Sequence, residues 1–316
     1  MPRLSAIVII PDGLSTVGTL LRHLRAQTVR DLELVLVAPP GCIDATARAG
    51  LGDFASVQVV ESTTATAAHA RAAGIRAATS PVIALTEDHS LPEPGWAEAL
   101  LRPFAEGCAV AGPEVANGNP GTLVSWGNFL IEYGEWSTPA PAGAAAHLPG
   151  HNSAYRREVL LALGDALPEW LEAESLLHWH LRAAGHRLVV EPAARTRHFN
   201  FSRFWPSLAL RFHCGQSFAG QRGQAWSRAR RLAYATGAPA IPWVRLLRLL
   251  RALRRPGQPA PATALLLTLL VLLLSVDATG ECLGYLLGAR AAARYLADID
   301  FHRERFMLPS EGWLLA

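Results

Sequence analysis

The sequence predicts an α/β fold: a Rossmann-like, mostly parallel sheet with helices on both faces, followed by C-terminal helices of membrane-associated character. Three observations carry this expectation. Short apolar, β-rich runs alternate with helical patterns through residues 4–113. Between Arg195 and Arg255 there are thirteen arginines and no Asp or Glu. Residues 262–288 form a long apolar stretch. With 316 residues, half of them hydrophobic and 17% charged, the chain has ample material for a core and is too apolar for disorder.

LSAIVII (4–10) reads as the first strand, closed by Pro11-Asp12; it is too short an apolar stretch for a signal peptide. Ser15 has the chemistry of an N-cap for a helix to about Gln27, with Val17, Leu20, Leu21 and Leu24 at helical spacing. LELVLV (32–37) and VQVVE (57–61) are the second and third strands. A helix over 65–78 leads into PVIALTE (81–87). Helix 97–104 and a short strand at 108–113 follow. Helices are expected at 155–163 and 169–184, the latter stopped by Gly185, and a short strand at 187–192. In a parallel sheet, ligands bind beyond the carboxyl ends of the strands. Glu87, Asp88 and His89 fall at such an end.

A carboxylate–x–ligand pattern at a strand end suits a divalent cation held against a diphosphate. Mg²⁺ prefers oxygen ligands, whereas Mn²⁺ accepts an imidazole more readily. Taken alone, Asp88 fits equally well as a cap of the following turn. Four scattered cysteines, Cys42, Cys108, Cys214 and Cys282, make no CxxC pair, so neither a zinc site nor a disulfide framework is expected, and a reducing cytosol is. All 29 Lys/Arg positions are Arg, which fits a GC-rich bacterial coding sequence.

The arginine-rich section asks for an anionic partner. In WVRLLRLLRALRR (243–255), Leu246, Leu249, Leu250 and Leu253 fall within an arc of about 100°, with Arg245, Arg248, Arg251, Arg254 and Arg255 opposite. That is the pattern of an interfacial helix on an anionic membrane surface. Residues 262–276 are uncharged, but Asp277 and Glu281 interrupt the longer stretch, leaving spanning, interfacial and buried-core readings open. Nucleic acid is not expected as a partner, because Leu rather than Tyr or Phe fills the apolar arc.

Residues 4–200 resemble the family 2 glycosyltransferases of the GT-A fold. The resemblance rests on TLLRHLRAQT (19–28), on AHARAAGIRAATSPVIAL (68–85), and on Pro92-Glu93-Pro94-Gly95-Trp96. It rests also on GHNSAYRREVLLALG (150–164) and WLEAESLLHWHLRAAGHRL (170–188). It implies a GT-A domain over 1–200, interfacial helices over 201–260 and a membrane-associated segment over 261–316. It implies a probe-ready set of roles as well: Glu87, His89 and His198 as ligands of Mn²⁺ or Mg²⁺, and Pro11, Arg71, Asp88 and Arg195 on the donor diphosphate. His151, Asn152, Tyr155 and Arg156 fall on the acceptor side, and Glu174 is the catalytic base, with Glu172 as the alternative. The implied activity is inverting transfer of one sugar from a nucleotide-sugar donor to a glycan or lipid-linked acceptor at the cytoplasmic face of a bacterial membrane.

The sequence departs from the family at three places. His89 replaces the second Asp of the family's DxD motif. Ala38-Pro39-Pro40 replaces an Asp-rich turn that holds the nucleotide, and Ala72 replaces an Asn. The Gln-x-x-Arg-Trp motif of processive synthases is absent, which points to single addition. A non-catalytic scaffold of the same fold is the competing reading, motivated by these same departures.

Overall fold

A computed structural model describes residues 2–10, 14–63, 66–261, 263–301 and 307–315; Pro11 lies outside the described residues. The chain divides into two compact units. The first comprises Met1–Ala116, Ala140–His198 and Ser310–Ala316; the second comprises Asn117–Pro139 and Phe199–Pro309.

The elements run β1 (Leu4–Ile9), α1 (Gly18–Arg25), β2 (Leu32–Ala38), α2 (Ala45–Ala49), β3 (Ser56–Glu61), α3 (Ala67–Ala77), β4 (Val82–Leu85) and β5 (Ser90–Pro92). They continue with α4 (Trp96–Ala105), β6 (Val110–Asn117), α5 (Leu123–Tyr133, in the second unit), β7 (Gly143–Ala144), β8 (Ala154–Arg156) and α6 (Arg157–Leu161). Two short helices, α7 (Leu167–Leu171) and α8 (Glu174–Ala183), precede β9 (Leu188–His198). The sheet order is β3-β2-β1-β4-β8-β6-β9-β5, with β7 beside β9. β3, β2, β1 and β4 pair in parallel, as the apolar runs predict. β4–β8, β6–β8, β5–β9 and β7–β9 are antiparallel.

The helix expected at 155–163 begins two residues late. Tyr155 and Arg156 are instead strand residues, because β8 is inserted between β4 and β6 and its backbone groups pair with both. The helix expected at 169–184 is broken at Glu172–Ala173, where Ala173 leaves helical geometry, and a new helix starts at Glu174. The strand expected at 187–192 runs on to His198.

Parallel register builds a polar row inside this apolar sheet. Ser5, Glu33 and Ser56 are lateral neighbours on β1, β2 and β3. Glu33 is fully buried. Its carboxylate accepts hydrogen bonds from Ser5 Oγ, Ser56 Oγ, Gln58 Nε2, Thr79 N and Thr79 Oγ1. Burial alone would push its pKa up; the hydrogen bonds from Ser5, Thr79 and Gln58 outweigh burial and hold it at about 2.

The second unit is helical: α5, then α9 (Phe204–Arg222), α10 (Arg228–Gly237), α11 (Ile241–Leu253), α12 (Ala264–Leu287) and α13 (Arg290–Phe301). α9 and α12 meet backbone to backbone. A Cβ on Gly280 would run into the Phe212 carbonyl, and one on Gly284 into that of Gln216. α12 is long and apolar enough to cross a membrane. Its two acids are buried rather than exposed to a bilayer: Arg245 of α11 lies 2.7 Å from Asp277 and 3.7 Å from Glu281. The expectation that Arg245 and Arg255 belong to an outward basic face is corrected here. Arg255 donates to the carbonyls of Gly134, Glu135, Ser137 and Pro139. The apolar arc of α11 is likewise turned inward in part, with Leu249 buried.

Glu33→Ala should lower the unfolding free energy by about 3 kcal/mol, measured by chemical denaturation, because it strands the buried Ser5 hydroxyl and removes the acceptor shared by Ser56, Gln58 and Thr79. The folded pKa of Glu33 lies below its ordinary value of 4.5, so its stabilisation is full above that value and is lost as pH falls toward about 2. That part of the acid dependence should vanish in Glu33→Gln. In the second unit, Gly280→Val should cost about 3 kcal/mol or prevent folding, since the clash is with backbone that has no rotamer to change.

Candidate active site

β4 ends at Leu85, and Thr86–His89 turn into β5, with Ser90 N–H donating to the Glu87 carbonyl at 3.0 Å. β5 lies antiparallel on β9 with Ser90 opposite His198. This register sets the imidazoles of His89 and His198 side by side, ring centroids 4.7 Å apart and edge to face. Residues more than a hundred positions apart in sequence thus share one corner of the sheet. Glu87 Oε2 lies 3.5 Å from His89 Nε2 and 3.6 Å from His198 Nε2.

Asp88 has a different role from the one its neighbours share. Its Oδ1 is 2.6 Å from His89 Nδ1. A carboxylate only accepts, so Nδ1 carries the proton, and Nε2 is the ring nitrogen on the Glu87 side. Ligand atoms of Glu87, His89 and His198 all lie within 4.8 Å of one another. Separations near 3.5 Å suit donors arranged about 2.1 Å from one first-row ion. Glu87 Oε2 is buried and has no hydrogen-bond partner. An orphaned carboxylate oxygen facing two imidazoles is costly without a cation. The donor set therefore fits a divalent metal ion.

A second carboxylate sits beside the first. Glu174 is the first residue of α8, where the helix N-terminus favours negative charge. Its Oε1 is 2.9 Å from His151 Nδ1 and 3.7 Å from Arg71 Nη1. Arg71 Nη2 is 3.5 Å from Glu87 Oε1, and His151 Nδ1 is 3.6 Å from the same oxygen. Arg71 and His151 each bridge the two carboxylates. Burial and Arg71 oppose charge on His151, but Glu174 and Glu87 outweigh them and raise its pKa to about 9. Burial would raise the Glu87 carboxyl, but His151, His89 and His198 hold it well below the carboxylate range. Gly150 is required by this packing, because a Cβ there would strike the Glu174 side chain.

Behind Glu174 a buried relay holds the Gly150–Asn152 turn. Leu148 N–H donates to His178 Nδ1, leaving Nε2–H to donate to Tyr155 Oη at 2.9 Å. The Tyr155 hydroxyl then donates to the Gly150 carbonyl at 3.3 Å. Burial keeps His178 neutral, with its pKa down at about 3.

The structure brings together Glu87, Asp88, His89, His198, Arg71, His151 and Glu174. Pro11 lies outside the described residues, and the remaining candidates are placed differently. Tyr155 is fully buried in the relay, so it does not face an acceptor. Arg156 donates to the Cys108 and Phe104 carbonyls and lies over the Phe104 ring. Arg195 is exposed and paired with Glu114 at 3.4 Å, outside the ion-pair cluster around Glu87 and Glu174. Glu172 ends α7 outside the ion-pair cluster. Asn152 is buried, with an unpartnered Nδ2. The relay residue His178 went unnoticed in the sequence; its only signal was its place one turn after Glu174.

The acidic cluster lies beyond the carboxyl ends of the parallel strands, where α/β proteins of this class bind their ligands. The profile of Glycosyl transferase family 2 matches residues 5–164, half of the chain, and the chain belongs to that family. No curated protein matches it. Among solved structures, GalNAc-T7 with UDP, GalNAc and Mn²⁺ aligns with TM-score 0.46 and 17% identity, over 63% of this chain and 44% of that one. This chain thus spans less than half the length of that relative. A mannosyltransferase, PcManGT from Pyrobaculum calidifontis with GDP-Man and Mn²⁺, aligns with TM-score 0.43 and 18% identity over 99% and 83% of the two chains. S. aureus TarS 1-349 with UDP aligns with TM-score 0.47 and 13% identity over 88% and 90%.

Asp88→Asn should weaken Mn²⁺ binding about tenfold in a direct metal titration, because it removes the acceptor that fixes the His89 tautomer. Unchanged affinity would show that Asp88 does not act through His89.

Proposed function

We propose that this chain moves a single sugar from a nucleotide-diphosphate sugar to an acceptor hydroxyl, inverting the anomeric carbon. In this reading Glu87, His89 and His198 hold a divalent cation and Glu174 is the base. The observation that supports it most is the pair of adjacent carboxylates, Glu87 and Glu174, cross-linked by Arg71 and His151. One carboxylate belongs to the metal corner; the other stands free of it. That separation is what a transfer needs, with one charge for the donor diphosphate and one for the acceptor proton.

A bound cation neutralises diphosphate charge and stabilises the departing nucleoside diphosphate. Two imidazoles and one carboxylate favour Mn²⁺ over Mg²⁺ as that cation. Glu174 takes the hydroxyl proton as the acceptor oxygen attacks. Arg71 and His151 hold Glu174 in place and put positive charge beside the position an anionic donor substrate would take. His151 and Asn152 stand on the acceptor side, in the turn packed against Glu174. The acceptor in this reading is a surface glycan or a lipid-linked sugar at an anionic membrane.

Glu174→Gln should lower kcat by about 10²- to 10⁴-fold in a nucleotide-release assay with UDP- and GDP-sugars, leaving nucleotide affinity unchanged. Equal turnover would remove Glu174 from the chemistry. Calorimetry with UDP and GDP should show Mn²⁺-dependent binding that is lost in Glu87→Ala/His89→Ala. A wild-type protein that binds a nucleotide but releases no sugar to any acceptor or to water would favour the non-catalytic scaffold.

A further inference from the structure

The outer face of α12 is uncharged along its whole length. Leu265, Thr268, Leu272, Ser275, Thr279 and Leu286 are all exposed, and at 100° per residue they fall within an arc of about 80°. Leu265 is 65% exposed, Leu272 41% and Leu287 74%. The only charged residues of the helix, Asp277 and Glu281, point to the opposite side and are paired with Arg245. The hydroxyls on this face need no water. Thr268, Ser275 and Thr279 each donate to the carbonyl four residues earlier, those of Ala264, Val271 and Ser275. This back-bonding leaves no hydroxyl proton of these three residues unmet, as a face against lipid requires.

α11 packs on α12 and presents a different exposed face. Trp243 (61%), Val244 and Leu247 (58%) alternate there with Arg248, Arg251 and Arg254. Arginines interleaved with a Trp and aliphatic residues match the boundary of an anionic bilayer, where long basic side chains reach phosphate while apolar neighbours insert. No acid lies between Arg195 and Arg255 to oppose this attraction.

We infer that the second unit seats on an anionic lipid bilayer through the outer face of α12 and the Trp243–Arg254 face of α11, with α12 lying along the membrane rather than crossing it. This inference is independent of the sugar-transfer reading. Crossing is disfavoured by α12's own neighbours. Its inner side packs on α9, which carries Arg211, Gln216 and Arg222, and on α10 and α11, which are rich in arginine. Carrying α12 through hydrocarbon would take those charges to membrane depth.

The test is flotation of the full chain with vesicles of phosphatidylcholine, with and without phosphatidylglycerol, at low and high salt. Wild type should float with the anionic vesicles, less so at high salt, and be extracted by alkaline carbonate. Leu265→Asp/Leu272→Asp/Leu286→Asp should lose vesicle affinity by about tenfold or more, with circular dichroism unchanged because the positions are exposed. Arg248→Gln/Arg251→Gln should lose the preference for anionic lipid. Should the triple variant fail to fold, Leu272→Trp supplies the readout: its emission should shift to the blue on anionic vesicles and be quenched by brominated lipid. Three results would overturn the inference. One is no vesicle binding by wild type. Another is resistance to carbonate extraction, which would mean crossing. The third is a concentration-dependent dimer, abolished by the triple variant, without lipid binding.

Discussion

A carboxylate buried at the end of a strand has to be compensated, and the compensation of Glu87 organises the active corner of the first unit. Its two oxygens face different partners. Oε2 meets His89 and His198. Oε1 meets Arg71 and His151. The first pair completes a donor set that fits a divalent metal ion, and the second extends the charge network to Glu174. The fold supplies each partner separately. β5 brings His89, β9 brings His198, α3 brings Arg71, the Gly150–Asn152 turn brings His151, and the start of α8 brings Glu174. Removing Glu87 would leave several cations facing one another in a poorly hydrated space, which is why it is the centre of the site and not one ligand among equals.

The second unit obeys a similar rule with a different outcome. Asp277 and Glu281 lie in an otherwise apolar helix, and Arg245 compensates them. That pairing fixes which side of α12 faces protein. The glycines of α9 and α12 then allow their backbones to meet. What is left outside is a face without charge. Inward charge and outward neutrality follow from one pairing, and together they argue for a helix that lies on a membrane.

Much of the parallel sheet was legible in the sequence, because β1, β2 and β4 are predominantly apolar, β-rich runs of strand length. Glu87, Asp88 and His89 were legible for the same reason, since polarity begins abruptly where a strand ends. The division of labour among them was not, because it depends on His198, which arrives only through the antiparallel pairing of β5 with β9. The polar alternation of β9 beyond Pro192 reads as loop until its partner strands are known. Glu33 gave no local sign of burial, for its donors Ser5 and Thr79 are far away in the chain and meet it only through parallel register. Tyr155 and Arg156 read as helix and became strand because the gap between β4 and β6 required backbone partners. The amphipathic pattern of residues 243–255 was real, but Arg245, Arg255 and Leu249 answer to the protein interior, and periodicity alone does not say which side of a helix the protein takes.

The most direct test of this account is anomalous diffraction from crystals grown with Mn²⁺ and UDP. The account predicts one manganese peak within about 2.2 Å of Glu87, His89 Nε2 and His198 Nε2, with Asp88 bonded to His89 Nδ1 and not to the metal. A manganese bound by Asp88, or one placed on Glu174 instead of Glu87, would contradict it.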